Sequence, residues 1–300
     1  MTEKFEFIDA ERAAATEVAQ LPIVARMCAL LEVSKSGFYE WRQRPESLTQ
    51  QRRELLADKI AALFQAFNFV YGYRRIHAEL LRGGERVGPE LVRRLMREMC
   101  LFTLQPRPFR TTTEPDPDAA ATVDLVKRDF SVPRPAAKVV GDITYIRTWQ
   151  GWLYLAVLTD CCTREVIGYA MADHMRTELV LDAVAMAMRN GRLDKGCIMH
   201  SDRGSQYTSS DYREKLTELG LRHSVGRTGQ CWDNAMAESF FATLKNERVH
   251  HMVYPTRKAA KKDIAHYIEL FYNHRRIHSA LGYRTPHEAR TEYLNSHLAA

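Results

Sequence analysis

Between positions 139 and 171 three runs rich in β-branched and aromatic residues follow one another with only short turns between them: 139–146, 152–158 and 165–171. Such residues suit a pleated, half-buried surface, and connections this short permit only antiparallel neighbours. The pattern then alternates. A helix is predicted over 177–188, a strand over 196–200, a helix over 210–219 and a short strand over 221–225. Two more helices, 235–248 and 257–272, complete the order βββαβαβαα. Three meandering strands followed by alternating elements make an α/β fold, a mixed five-stranded sheet with helices on both faces.

The first hundred residues carry a different period. Residues 22–45 read as two short helices around a turn at 33–36, with Ala25, Met27, Leu30 and Leu31 as the apolar stripe; this is a helix-turn-helix pattern. From 48 to 101 three further stripes are predicted: Leu55, Ile60, Leu63 and Phe64; then Ile76, Leu80 and Leu81; then Leu91, Val92, Leu95 and Met96 after the helix starter Pro89. Arg93, Arg94 and Arg97 fall opposite the last stripe and form a surface suited to phosphates. Residues 102–134, with several prolines, three consecutive threonines and the acidic run 114–118, read as an exposed linker. The expected organisation is an N-terminal extension (1–21), a helix-turn-helix-like segment (22–50), a helical DNA-binding domain (51–110), a linker (111–134) and an α/β core with a basic C-terminal helical segment (135–295).

Charge is distributed unevenly. The net +6 arises from two segments: 42–110, with 14 Lys and Arg against 7 acids, and 245–290, with 10 against 4. The rest of the chain is slightly acidic. Two basic segments around a less basic centre suit a polyanion gripped on both sides of a working site. No apolar run is long enough to cross a bilayer, and the polar N-terminus lacks a secretory pattern. The six cysteines show no metal-ligand spacing and sit mostly in apolar stretches, so a reduced cytoplasmic protein without disulfides or zinc is expected.

Three acidic residues stand out. Asp142 lies within a predicted buried strand, where a charge is costly unless paired or bound to metal. Asp202 lies where an apolar strand passes into a Gly-containing loop, the strand-end position at which mixed sheets bind ligands. Glu238 stands on a predicted helix, with 35 residues between it and Asp202, and Lys245 lies two turns later on the same face. Hard cations such as Mg²⁺ take oxygen ligands and retain waters, so a few carboxylates with substrate phosphate oxygens suffice. Two such ions roughly 4 Å apart can activate an attacking oxygen and stabilise a leaving one. Asp160, which ends a strand, is a rival acid with a structural role. Asp233 reads as the N-cap of the Glu238 helix. His200, Ser201 and Asp202 cannot form a hydrolase triad by themselves, since neighbours on a strand point to opposite faces.

Together these stretches resemble the DDE transposases of bacterial insertion sequences, in particular the second reading frame product of the insertion-sequence-three family. The resemblance rests on GDITYI around Asp142, HSDRGSQYTS around Asp202, DNAMAESFFATLKNE containing Glu238 and Lys245, YNHRRIHSALGYRTPHEA at 272–289 and YGYRRI at 71–76. It implies an integrase-type, RNase H-like core, with Asp142, Asp202 and Glu238 as catalytic metal ligands for two Mg²⁺ ions, which Mn²⁺ can replace. It implies cleavage that frees a 3′-OH, then in-line attack of that 3′-OH on a target strand, with no covalent enzyme intermediate. It implies a copy-out route through a circular intermediate. Lys245 is expected to contact DNA, as are Arg74, Arg75, Arg93, Arg94, Arg97, Arg275 and Arg276. The expected partners are DNA, as element ends and target, and further copies of the chain on that DNA, in a nucleoid-associated cytoplasmic setting. The chain starts at Met1 and shows no sustained heptads, so it is read as the downstream product alone, its end recognition completed by an upstream reading-frame partner or fusion.

Two other readings stay open on the residues alone. One is an RNase H-like nuclease that cuts without joining; the other is a DNA-binding regulator with an idle core.

Overall fold

A computed structural model describes residues 1–16, 23–45, 47–103, 124–126, 129–226 and 235–298. Most of the predicted linker, together with Cys231 and Asp233, lies outside the described residues. The chain divides into two compact units, Met1–Ala62 and Leu63–Ala300.

The first unit is helical: α1 (Thr2–Thr16), α2 (Ile23–Leu30), α3 (Lys35–Gln43) and most of α4 (Leu48–Ala66). Its core joins Phe5 and Ile8 to Val24, Cys28 and Phe38. α1 is thus part of the fold, where only an extension was expected. Two buried residues among exposed neighbours such as Phe7 leave too weak a stripe to read. The stripe of α2 is rotated from the predicted one. Val24 and Cys28 are buried with Met27 and Leu31 beside them, whereas Ala25 and Leu30 are exposed. Ser34 caps α3 as expected, its hydroxyl accepting from the Gly37 N–H. On α4 the buried positions are Leu56, Ile60 and Phe64, and Leu55 is exposed.

The second unit begins with α5 (Tyr73–Arg82) and α6 (Pro89–Glu98), whose buried faces carry Ile76 and Leu80, and Val92, Leu95 and Met96. The predicted Leu81 is exposed. The sheet follows: β1 (Lys138–Thr148), β2 (Gly151–Asp160), β3 (Val166–Ala172), α7 (Thr177–Arg189), β4 (Ile198–Ser201), α8 (Ser205–Thr208), α9 (Ser210–Glu218) and β5 (Arg222–Val225). The strand order is β3-β2-β1-β4-β5, with β1 to β3 antiparallel and β4 and β5 parallel to β1. This is the RNase H-like mixed sheet expected from the sequence.

Alternation along β1 assigns the two faces. Val139 joins a core with Leu179, Val180, Ala183 and Val184 of α7 and Tyr212 and Leu216 of α9. Val140, pointing the other way, packs with Met236 and Ala237 of α10 (Ala235–Glu247). On the α7 face Gly168 is required by close approach, because a Cβ there would stand 2.4 Å from the Ala183 carbonyl oxygen.

After α10 the chain runs through α11 (Arg257–His266) and ends in α12 (Pro286–Leu298). The helix predicted over 257–272 changes register at Tyr267, continuing as a π-helix, Tyr267–Tyr272. The wider turn buries Tyr267, Ile268, Phe271 and Tyr272 together.

Candidate active site

Gly141 of β1 pairs in parallel register with Ser201 of β4, so the next residues, Asp142 and Asp202, stand level on neighbouring chain segments. Asp142 is half-buried, and its Oδ1 accepts from the Ile143 N–H at 2.7 Å. Asp202 follows the end of β4 and is held by the turn it opens, its Oδ1 accepting from the Gly204 N–H at 3.0 Å. Glu238 reaches the same place from the first turn of α10. Surrounding protein, then the Asp202 carboxylate and, more weakly, Glu238 raise the Asp142 carboxyl well above the usual range. Asp202 and Glu238 are raised too, each mainly by burial. Three carboxylates from distant parts of the chain therefore repel one another in one half-buried place.

Lys245 lies close enough to Asp142 for each to favour the other's charge, although burial dominates and lowers the ammonium. Its Nζ stands 5.2 Å from the centroid of the Tyr145 ring. Tyr145 in turn meets Trp152 edge to face at 5.0 Å, and both rings are substantially exposed beside the carboxylates' strand.

Tyr207, within HSDRGSQYTS, carries no distinguishing signal in the sequence. It is 1% exposed, and its hydroxyl has no hydrogen-bond partner among the described residues. Asp142 and Asp202 raise its phenol further, after burial. Gly141 permits this approach, since a Cβ there would meet the Tyr207 ring at 3.4 Å and Leu158 at 3.1 Å. The only available signal was an aromatic residue beside an acidic strand end, which is common.

Asp160 is structural. Its Oδ1 accepts from the N–H groups of Cys162 and Thr163 and from the Thr163 hydroxyl, and its Oδ2 accepts from the Ala136 N–H.

The arginines expected to meet DNA divide into two groups. Arg74, Arg93, Arg94, Arg97 and Arg275 are exposed. Arg93 is forked onto Glu90, and Arg275 lies over the Phe67 ring while donating to the Ala66 carbonyl. Arg276 corrects the expectation. It is 4% exposed, with Nε and Nη2 donating to Glu247 and Nη1 directed at His278, so the group is committed to the protein interior rather than to an exposed DNA-contacting face. Arg75 also donates to Glu247, at 3.4 Å, and the Tyr267 hydroxyl donates to the same carboxylate at 2.8 Å. The Tyr71 hydroxyl accepts from the Ile277 N–H at 2.9 Å. The 71–76 and 272–289 motifs are thus bound to each other. Asn273, in the second of them, hydrogen-bonds both the N–H and the carbonyl of Val166 on edge strand β3.

Oxygen donors alone make up the acidic cluster, which suits a hard divalent cation. The mutual repulsion of the carboxylates and the Tyr207 hydroxyl, without a hydrogen-bond partner among the described residues, fit a site completed by positive charge and ordered water. Among the described residues no three side chains already converge at metal-coordinating distance. No described helix is long and apolar enough to cross a membrane.

Comparison with known proteins agrees with this architecture. Two descriptions of an "Integrase core domain" match residues 132–231 and 219–286, and an "HTH-like domain" matches 50–109. The insertion element IS600 uncharacterized 31 kDa protein of Shigella sonnei is 41% identical over 267 residues, covering 89% of this chain and 98% of that one. Transposase InsF for insertion sequence IS3A of Escherichia coli (strain K12) is 35% identical over 273 residues, covering 90% and 95%. The HTLV-2 integrase catalytic core domain, solved with magnesium in a trimeric form, aligns with a TM-score of 0.42 at 15% identity, covering 53% of this chain and 99% of that one. Fold and family descriptions define an integrase-type core preceded by an HTH-like region. The chain belongs to the IS3 family of insertion-sequence transposases.

Proposed function

We propose that this chain cuts DNA at the ends of a mobile element and joins the freed 3′-OH to a target strand, using Asp142, Asp202 and Glu238 to hold divalent cations. The observation that carries this reading is that three carboxylates, from β1, the end of β4 and α10, come within electrostatic reach of one another. Mg²⁺ or Mn²⁺ bound there supplies activation of the attacking oxygen and stabilisation of the leaving one. Asp142 and Asp202, on adjacent segments of a rigid sheet, fix one side of the binding place, and Glu238 brings the third ligand from the opposite element. Lys245, over the Tyr145 ring and within the field of Asp142, binds a backbone phosphate or base edge and holds the strand in line for displacement. The exposed Arg74, Arg94 and Arg97 extend the phosphate-contacting surface. DNA is therefore the partner, and the two ends to be joined call for more than one copy of the chain on it.

The test is strand transfer in Mg²⁺ with purified chain, a labelled pre-cleaved element end and Glu238→Gln as control. Joined product from the wild type and none from the variant supports the reading. Equal joining by both removes Glu238 from the site, and cutting without joining points to a nuclease.

A further inference from the structure

Across α10 from Lys245 lies a separate cavity of about 200 Å³, lined by Arg75, Thr159, Arg164, Thr243, Arg276 and His278 among others. Three guanidinium groups border it, and Arg75 and Arg276 share the Glu247 carboxylate. Arg164 has no carboxylate partner among the described residues. Its backbone sits in the left-handed region at φ 62°, a conformation that costs a non-glycine residue free energy and places this side chain at the cavity. Thr159 supplies an independent observation. It is 1% exposed, its hydroxyl has no hydrogen-bond partner among the described residues, and its pairing opposite Val140 sets it on the α10 face of the sheet. A buried hydroxyl left unmatched costs about 1–3 kcal/mol, so a polar occupant is called for. His278 reports the sign of the local field: burial, then Arg276, Arg75 and Arg164 push its pKa down to about 2.

We propose that this cavity is a binding site for one tetrahedral oxyanion of the phosphate class, with Arg164 and Arg75 supplying charge and the hydroxyls of Thr159 and Thr243 supplying hydrogen bonds. A carboxylate-sized ligand satisfies the charge but leaves part of this donor set unmatched; four oxygens match donors arriving from several sides. The oxyanion comes either from a backbone phosphate of DNA or from free phosphate. The DNA source rests on the function proposed above, and the free source does not. The site differs from the acidic cluster in sign and in ligand, although α10 borders both.

Two measurements on the full chain in EDTA test it, each with Thr159→Val and Arg164→Gln. Thermal melts compare inorganic phosphate and pyrophosphate with sodium chloride at equal ionic strength. Duplex binding is measured against salt concentration. A free-anion site predicts a wild-type midpoint rise of a few degrees with phosphate, at least halved in both variants, and an unchanged salt slope. A DNA phosphate predicts a salt slope shallower by about 0.9 in Arg164→Gln. If neither the phosphate effect nor the slope differs between wild type and variants, the proposal is overturned. Thr159→Val keeps the test decisive should Arg164→Gln fold poorly, because removing an unmatched hydroxyl at constant shape leaves the basal midpoint equal or higher. Retained joining by Glu238→Gln would remove the function proposed above without touching the free-phosphate arm.

Discussion

Lys245 Nζ lies 5.2 Å from the centroid of the Tyr145 ring, so the ammonium of α10 is held over an aromatic face presented by β1. This contact, with the pull of Asp142, fixes a cation beside the acidic cluster. Tyr145→Leu is expected to lower strand transfer by about 2- to 5-fold, the worth of a partly exposed cation–π contact of about 0.5–1 kcal/mol. Tyr145→Phe keeps the face and should stay near wild type. Equal losses in both variants would mean that the phenol oxygen, not the ring, is what matters.

Asp142→Asn separates stability from activity. Neutralising one of three repelling carboxylates should raise the thermal midpoint in EDTA by about 2–4 °C. Adding Mg²⁺ should raise the wild-type midpoint and leave the variant's where it was. Joining should fall at least about a thousandfold, several kcal/mol of lost transition-state stabilisation. A variant that still responds to Mg²⁺ would show that the cation is held elsewhere.

Glu247 holds buried Arg276, and Arg75 and Tyr267 share it. Glu247→Gln leaves an uncompensated guanidinium in the interior and should cost about 3–5 kcal/mol, a midpoint drop of about 10 °C. Arg82→Gln, which breaks a more exposed pair with Glu288, should cost less than about 1 kcal/mol. Similar small losses from both, read by urea denaturation, would show that the cluster around Glu247 is not structural.

His278 gives a pH dependence of known sign. Its folded pKa is lowered by burial and by Arg276, so the unfolded chain takes up the proton first. Stability from the neutral ring is complete above about pH 6.5 and falls as the pH drops from there toward 2. Asp142 and Asp202, whose carboxyls are raised, act in the opposite sense, so the comparison must be with His278→Gln. Between pH 7.5 and 5 the wild type should lose about 2 kcal/mol more than the variant. Parallel pH profiles would contradict a neutral buried ring.

The α/β core was legible because its signals are local. Period-two runs of β-branched residues define β1 to β3, and the later alternation of helix and strand leaves little choice of sheet. Asp142, Asp202 and Glu238 stood out since each occupies a place where an acid is costly or aimed at a strand end, and their order along the chain reinforced one another. Arg276 shows where that kind of inference stops. A basic segment reads the same whether its arginines face phosphate or a buried carboxylate, and Glu247, which decides the matter, lies 29 residues away. The stripe of α2, the helical state of residues 2–16 and the π-helical turn at Tyr267 likewise depended on which neighbours came to pack against weak local patterns.

By itself, then, the sequence determined the elements, their order and the acids that repay attention, because hydrophobic period and the cost of a misplaced charge act over a few residues. Only the tertiary structure decided that the Tyr207 hydroxyl lies beside the acidic cluster without a hydrogen-bond partner among the described residues, that the 71–76 and 272–289 motifs hold each other, and that Arg164 and Thr159 border one cationic cavity. Each of these is a contact between residues far apart in the chain. Its energy depends on burial and on the partner's position, and neither exists until the chain has folded.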